Sequence, residues 1–145
     1  MKTLYELCVP RPETIVGTDA DDVQELDQLL HGQIDPNDFF EKTFVTETMK
    51  HVFTRAFSRF TDRSVSSGLI ILKQAMGGGK THTMIATGLL AKHPHIRQKV
   101  LGKDFPYQYD GEVRVVGFTG RWTDTLPWLE IAKQLVEKTC YAKTC

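Results

Sequence analysis

Three glycines, a lysine and a threonine follow one another from Gly77 to Thr81, and their types and order suit the binding of anions. Glycine lets the main chain approach anionic oxygens without a clash at Cβ. A helix that begins at such a loop adds its first amide groups and the positive end of its dipole, and lysine adds a full charge. This segment therefore predicts a loop that binds phosphate groups.

Each residue of the loop has a predicted role with ATP or another nucleoside triphosphate. The amides expected to hold the β-phosphate region are those of Gly77, Gly78, Gly79 and Lys80. The Lys80 side chain is expected to reach the β- and γ-phosphates, and the Thr81 hydroxyl to bind the Mg²⁺ that bridges them. His82 is a further candidate for a contact with the triphosphate, although a single His without a paired carboxylate is more often structural.

One position departs from the full phosphate-loop pattern. The motif G-x-x-x-x-G-K-[ST] aligns with residues 74–81, and Gln74 stands where its first glycine is expected. That glycine usually serves the sharp exit from a strand, so its replacement affects the start of the loop more than the phosphate contacts. A glycine-rich turn with an incidental Lys-Thr pair is the alternative reading.

A strand before the loop and a helix after it are predicted to position these residues. The run LIIL at 69–72 is typical of a strand buried on both faces, and apolar residues at helical spacing follow the loop as far as Lys92. Residues 113–118 predict a second buried strand, and residues 128–136 an amphipathic helix. The β-α-β-α order predicts an α/β fold, with a partial parallel sheet in a P-loop NTPase-like core.

The chain in front of this core is predicted to be an extended arm, residues 4–18, followed by helices. Helical spacing runs from Asp19 to His31, Asp35-Pro36 has the pattern of a helix start, and an apolar stripe from Thr46 to Phe60 indicates core packing. We therefore divide the chain into an arm and helical region, residues 1–65, and a partial nucleotide-binding core, residues 66–145, expected to be truncated.

Hydrolysis requires an acidic residue at the end of a second strand, as in a Walker B motif. The run at 113–118 is followed by Thr119, Gly120 and Arg121, and the next acid is Asp124. Arg121 could reach the nucleotide at the carboxyl end of a parallel strand, or equally pair with Asp124 at the surface. No catalytic residue is assigned, and we expect binding without turnover.

The composition is that of a globular intracellular protein. The chain has 145 residues, 41% hydrophobic and 25% charged, which suits one domain and favours neither a disordered nor a fibrous class. Three cysteines without a C-x-x-C pair argue against a disulfide framework and a zinc site. No signal peptide and no run of about 18 apolar residues is present, so we expect a cytoplasmic location and no membrane contact.

Charge is distributed unevenly along the chain. Residues 1–48 carry 11 acids and 3 bases, whereas residues 49–145 carry 7 acids and 15 bases. The basic surplus around the loop suits a polyanionic ligand, but it could equally complement the acidic front. Direct binding of nucleic acid therefore stays open.

Four segments resemble one known family: CVPRPETIVGT, IDPNDFFEKTFVTETMKHVF, LKQAMGGGKTHTMIATGLLAKHP and VRVVGFTGRWTD. They look like the N-terminal region of a family of large bacterial AAA-type ATPases, long catalogued as a domain of unknown function and often encoded beside DNA methyltransferases in anti-phage defence islands. The resemblance reaches about Leu135. It implies ATP and Mg²⁺ as ligands, Lys80 and Thr81 as phosphate-loop lysine and metal ligand, an acidic strand further downstream, and protein partners in a DNA-modification or defence complex.

Two other functions compete with nucleotide binding by part of an ATPase. One is an interaction module that does not hydrolyse nucleotide, in which the phosphate loop is vestigial and the arm and helical front dock a partner. The other is a compact P-loop kinase or nucleic-acid-binding domain, supported only by the basic surplus.

Overall fold

The computed structural model describes residues 25–62, 64, 67–73, 75, 77–120 and 126–141, with side chains of the last helix through residue 136. Predictions for the N-terminal arm, Gln74, Arg121 and Asp124 lie outside these residues. The described part of the chain contains six helices: α1 (Leu26–Leu30), α2 (Pro36–Lys42), α3 (Glu47–Thr61), α4 (Lys80–Lys92), α5 (Pro94–Leu101) and α6 (Pro127–Tyr141). None of them is long and apolar enough to cross a membrane.

Side-chain caps begin two of the helices, and the cap at Asp35 is the one that the sequence predicts. At α2 the Asp35 carboxylate accepts a hydrogen bond from the Asn37 amide at 2.8 Å, and Pro36 occupies the first turn. At α3 the Thr46 hydroxyl accepts from the Met49 amide at 3.3 Å. Local sequence therefore fixes both helix starts.

Helix α4 lies at the centre of the packing, because α1, α3 and α5 all contact it. It buries Ile85, Ala86, Leu89 and Leu90. The predicted apolar stripe of α3 supplies buried Met49, Phe53 and Phe57, while Phe60 at its end stays partly exposed and stacks on Tyr109. The hydrophobic core is thus formed mainly by helices. It includes residues from both predicted parts of the chain, 1–65 and 66–145.

Gly88 allows α1 to approach α4 closely. A Cβ at this position would lie 2.7 Å from Leu29 Cδ2 and 3.3 Å from Val115 Cγ1. Both distances are shorter than ordinary van der Waals contact, so a larger residue would push α1 or the segment around Val115 away.

The predicted α/β fold with a parallel sheet is wrong for the part of the chain that the structure describes. No strand is present there, and residues 69–72 and 113–118 adopt neither helix nor strand. Leu69 and Ile71 are each 65% exposed, so the first run is not buried on both faces as predicted. A continuous apolar run predicts burial, but it cannot show that a neighbouring strand exists.

The second apolar run, residues 113–118, forms hydrogen bonds with a glutamine side chain. In a β-sheet, a neighbouring strand would form such bonds. The Gly117 amide donates to Gln134 Oε1 at 3.0 Å, and Gln134 Nε2 donates to the Gly117 carbonyl at 2.8 Å. Both main-chain groups of Gly117 are thereby satisfied without a strand. Val113 and Val115 pack against the helical core instead.

Helix α6 includes the predicted helix at 128–136 and continues to Tyr141, but its apolar side faces outward. Trp128 and Val136 are 64% and 62% exposed, and Leu129 is 49% exposed. The polar side chain of Gln134 bonds this helix to the main chain of Gly117. The apolar residues at 128, 129, 132, 135 and 136 are exposed.

A buried arginine joins α3, α5 and the segment that follows α5. Arg97 is fully buried, its guanidinium lies 4.9 Å from the centre of the Phe57 ring, and it donates to the carbonyls of Leu90 and Tyr109. Burial lowers the pKa of Arg97, and the charge of Asp110 acts in the opposite direction. The aromatic face and two carbonyl oxygens are the contacts that compensate this buried charge.

Candidate phosphate-binding site

The glycine-rich loop has a main-chain geometry that requires glycine at two positions. Gly77 and Gly79 have φ angles of 80° and 73°, in the left-handed region that residues with a Cβ rarely adopt. The Gly78 amide donates to the Ala75 carbonyl at 3.1 Å and closes a tight turn. Two of the three predicted loop glycines are therefore explained by their own backbone conformation.

Helix α4 begins at Lys80, directly after Gly79. The first amide groups of any helix lack an intrahelical carbonyl partner, and they carry the positive end of the helix dipole. Asp35 and Thr46 cap α2 and α3 with their side chains, but Gly79 has no side chain for this purpose, and the first turn of α4 contains no acid. This helix end suits an anionic ligand.

The Lys80 side chain folds back over the turn. Its Nζ donates to the Ala75 carbonyl at 2.9 Å, which places the ammonium group beside the loop at an exposed position. A charged donor forms a stronger bond with a phosphate oxygen than with a neutral carbonyl. The Lys80 ammonium group thus lies beside the loop that the sequence predicts to bind phosphate groups.

The loop is open to solvent. Gly77, Gly78, Gly79 and the Thr81 side chain are exposed. Thr83, one half-turn further on, uses its hydroxyl within the helix, where it donates to the Gly79 carbonyl at 2.9 Å. Of these two threonines, Thr81 is the one whose position suits a magnesium ligand.

His82 is held by α2. Its ring stacks on Phe39, with centroids 4.6 Å apart and an angle of 22° between the planes. Its Nε2 lies 3.0 Å from Thr43 Oγ1, and burial lowers the pKa of His82. His82 thus contacts the end of α2, and its contact with a triphosphate stays a prediction.

The tautomer of His82 follows from the neighbouring hydroxyl. Thr43 Oγ1 donates its single proton to the Phe39 carbonyl at 2.6 Å, and a carbonyl can only accept. Thr43 is therefore the acceptor in its bond with His82, and Nε2 is the nitrogen that carries the proton. The neutral ring keeps its lone pair on Nδ1.

Sequence reasoning missed Thr43 as part of this region. Thr43 and Phe39 are four residues apart at the end of α2, a spacing that brings them to one face, but their partner His82 is 39 residues further along the chain. No local pattern links the two segments.

The hydrolytic half of an ATPase site has no counterpart in the described residues. Thr119 and Gly120, which follow the second apolar run, are not acidic. Gln74, Arg121 and Asp124 lie outside the residues that the structure describes. No three His, Cys, Asp or Glu side chains come together as a metal site in the described part of the chain. A magnesium ion held by Thr81 would take its other ligands from phosphate and water, as in phosphate-loop sites.

Comparison with known proteins gives one family. Residues 18–101, more than half of the chain, match the family model described as the DUF499 N-terminal domain. The matched region includes the loop and helices α1 to α5. No curated protein and no solved structure matches the chain.

Proposed function

The chain belongs to the DUF499 family, and on that premise we propose that it binds a nucleoside triphosphate together with Mg²⁺ through residues 77–81. The main-chain amides of the loop and of the first turn of α4 bind the phosphate oxygens. Lys80 neutralises charge on the β- and γ-phosphates, and Thr81 contributes its hydroxyl to the metal.

One observation carries this proposal: Gly77 and Gly79 adopt left-handed conformations directly before an uncapped helix whose first residue is Lys80. A Gly-Lys-Thr sequence could occur in any flexible turn. Here it coincides with main-chain angles that require glycine and with an ammonium group folded over the turn. Left-handed glycines before a helix create concave clusters of amides that bind anions.

We further propose that the chain forms the N-terminal, nucleotide-binding part of a larger AAA-type ATPase that acts in DNA modification or phage defence. The resemblance of its four sequence segments to such proteins supports this. Within the described residues, the second apolar run is followed by Thr119 and Gly120 and not by an acid. We therefore expect the chain alone to bind Mg-ATP and not to hydrolyse it.

Calorimetric titration with Mg-ATP tests the binding proposal. Lys80→Ala should weaken binding about tenfold or more, since a bond between charged groups contributes roughly 1.5–3 kcal/mol. Lys73→Ala is the matched control, because Lys73 is an exposed lysine before the loop. Thr81→Ala should weaken binding in the presence of Mg²⁺ more than in EDTA. Equal affinity in the wild type and Lys80→Ala would contradict the proposal.

The outward apolar face of α6 favours a second candidate function, a protein-interaction module. Trp128, Leu129 and Val136 expose apolar surface on one side of this helix. In this case a partner protein co-purifies with the chain independently of ATP, and it still does so with Lys80→Ala. Val136→Glu should abolish that association and leave nucleotide binding unchanged; dependence of the association on ATP would contradict this candidate.

A further inference from the structure

A cleft of about 270 Å³ lies between α2 and α5, and we call it the α2–α5 cleft. Its apolar wall is formed by Phe40 of α2, by Val45, and by Ile96 and Val100 of α5. Ile96 is almost fully buried, whereas the other three side chains are half-buried and keep apolar surface that can contact a ligand. Pockets for drug-sized molecules have about 300–1,000 Å³, so this smaller cleft suits a ligand with a single apolar group.

Lys99 and Asn37 bring hydrogen-bond donors of two kinds to the α2–α5 cleft. Lys99 Nζ donates to Asn37 Oδ1 at 3.4 Å, which is long for a hydrogen bond, and this acceptor is neutral. Because a lysine can only donate, the bond fixes the orientation of the Asn37 amide and leaves its NH₂ group for another acceptor. A carboxylate can accept from the ammonium group and from the NH₂ group at once, and its bond with the ammonium group is of the stronger, charge-assisted kind.

Glu41 adds the opposite charge to the same cleft. It follows Asn37 by four residues in α2, so the two lie on one face of the helix, about 6 Å apart along its axis. Lys42 pairs with Asp38 at 3.1 Å, which leaves Glu41 outside the ion pair of this helix. Among the residues that the structure describes, no side chain bonds to the Glu41 carboxylate. The cleft therefore has charges of both signs that do not neutralise each other.

We propose that the α2–α5 cleft binds an α-amino acid with a large apolar side chain, such as leucine or phenylalanine. The ligand's carboxylate accepts from Lys99 and Asn37, its ammonium group donates to Glu41, and its side chain contacts the apolar wall. An α-amino acid carries both charges and the side chain on one carbon atom, so it supplies all three groups within a small volume. An apolar pocket with a few converging polar groups is the usual form of a small-molecule site.

This site is separate from the proposed phosphate site, because none of its residues belongs to the loop at 77–81. The Lys80→Ala variant should therefore bind leucine as the wild type does. A failure of ATP binding would overturn the proposed function and leave the amino-acid site to be decided by its own titrations.

NMR titration of the full chain with L-leucine and four analogues tests the proposal, since it measures the weak binding that exposed charged groups give. Isocaproate lacks the ammonium group, isoamylamine lacks the carboxylate, and glycine lacks the side chain. N-acetyl-leucinamide has the leucine side chain without either charge, as in a leucine within a polypeptide. Leucine should bind more tightly than each analogue, by roughly 3- to 10-fold for each hydrogen-bonded group that is missing.

Two variants that remove a charge should each affect a different group of the ligand. Glu41→Gln should weaken leucine binding roughly 3- to 10-fold and leave isocaproate binding unchanged, because isocaproate has no ammonium group. Lys99→Met should weaken leucine binding to a similar extent and leave isoamylamine binding unchanged. Lys103→Met is the matched control, because this exposed lysine lies outside the cleft, and it should change no affinity.

The proposal is overturned if leucine does not bind, or if Glu41→Gln weakens the binding of leucine and of isocaproate equally. Binding of N-acetyl-leucinamide as tight as that of leucine would also overturn it. The cleft would then accept an apolar side chain of a polypeptide and not a free amino acid.

Discussion

Thr43 and His82 form a hydrogen bond of 3.0 Å in which the histidine is the donor. Thr43 donates its hydroxyl proton to the Phe39 carbonyl, and the His82 ring stacks on Phe39. Thr43, Phe39 and His82 therefore hold one another in position. This link ties the end of α2 to the first turn of α4. The residues proposed to bind phosphate are thus supported from the side by the helical front of the protein.

Thr43→Val should destabilise the fold. The substitution keeps the volume of the side chain but removes the hydroxyl group that bonds to the Phe39 carbonyl and to His82. We expect a loss of about 1–3 kcal/mol in the free energy of unfolding, measured with urea. Thr54→Val, at an exposed position of α3, is the control and should change stability by less than about 0.5 kcal/mol. Equal stabilities of the two variants would contradict the assigned role of Thr43.

Stability should fall as the pH drops below 6.5. Burial lowers the pKa of His82 from its ordinary value of 6.5, and burial with the charges of Lys92 and His95 lowers that of His93. The unfolded chain then binds protons at these two histidines more readily than the folded one. Their contribution to the free energy of unfolding therefore decreases from pH 6.5 down to their folded pKa values and is constant below them.

Unfolding in urea at several pH values measures this dependence, and His82→Gln should show a smaller decrease than the wild type. The His82 ring can also be followed by NMR. It should titrate below pH 6.5 and carry its proton on Nε2 above that pH. A titration of His82 above 6.5 would show that the assigned environment is wrong.

Gly79→Ala should impair both the fold and the proposed phosphate site. The φ angle of 73° at Gly79 costs a residue with a Cβ about 1–2 kcal/mol, although no neighbouring atom obstructs the added methyl group. Gly78→Ala is the matched control within the loop, because Gly78 does not have a positive φ. Thermal unfolding and Mg-ATP titration of both variants give the comparison. A Gly78→Ala variant as impaired as Gly79→Ala would rule out backbone conformation as the cause.

Gly88→Ala should destabilise the core even though alanine favours a helix by about 1 kcal/mol over glycine. The added methyl would lie 2.7 Å from Leu29, which is almost fully buried and has little room to move. We expect overpacking to exceed the helix preference and to cost about 1–2 kcal/mol net. Gly120→Ala has open space around it and should be neutral or slightly stabilising in the same urea experiment. A more stable Gly88→Ala variant would mean that α1 adjusts freely.

The parts of the fold that depend on neighbouring residues could be predicted from the sequence. Asp35 and Thr46 each cap a helix by bonding to an amide two or three residues away, and Gly79 precedes a helix at the predicted place. Such interactions depend only on short-range geometry. The sequence therefore located the loop and the helix that carries the candidate site.

The parts that depend on distant partners could not be predicted. The runs at 69–72 and 113–118 have the composition of strands, but pairing depends on what lies beside them, and at Gly117 that neighbour is a side chain of α6. Arginine is seldom fully buried in proteins, yet Arg97 is buried against Phe57 and donates to two carbonyl oxygens. The contact of His82 with Thr43 likewise joins segments that no periodicity connects.

The attachment of α6 through Gln134 has a consequence for the order in which the protein opens. Releasing this helix breaks two hydrogen bonds at Gly117, while Trp128, Leu129 and Val136 are already in water and lose little on release. Its amides should therefore exchange with deuterium long before those of α4, and a protease should cleave there while the rest remains folded. We therefore expect α6 to open before the helices that pack around α4.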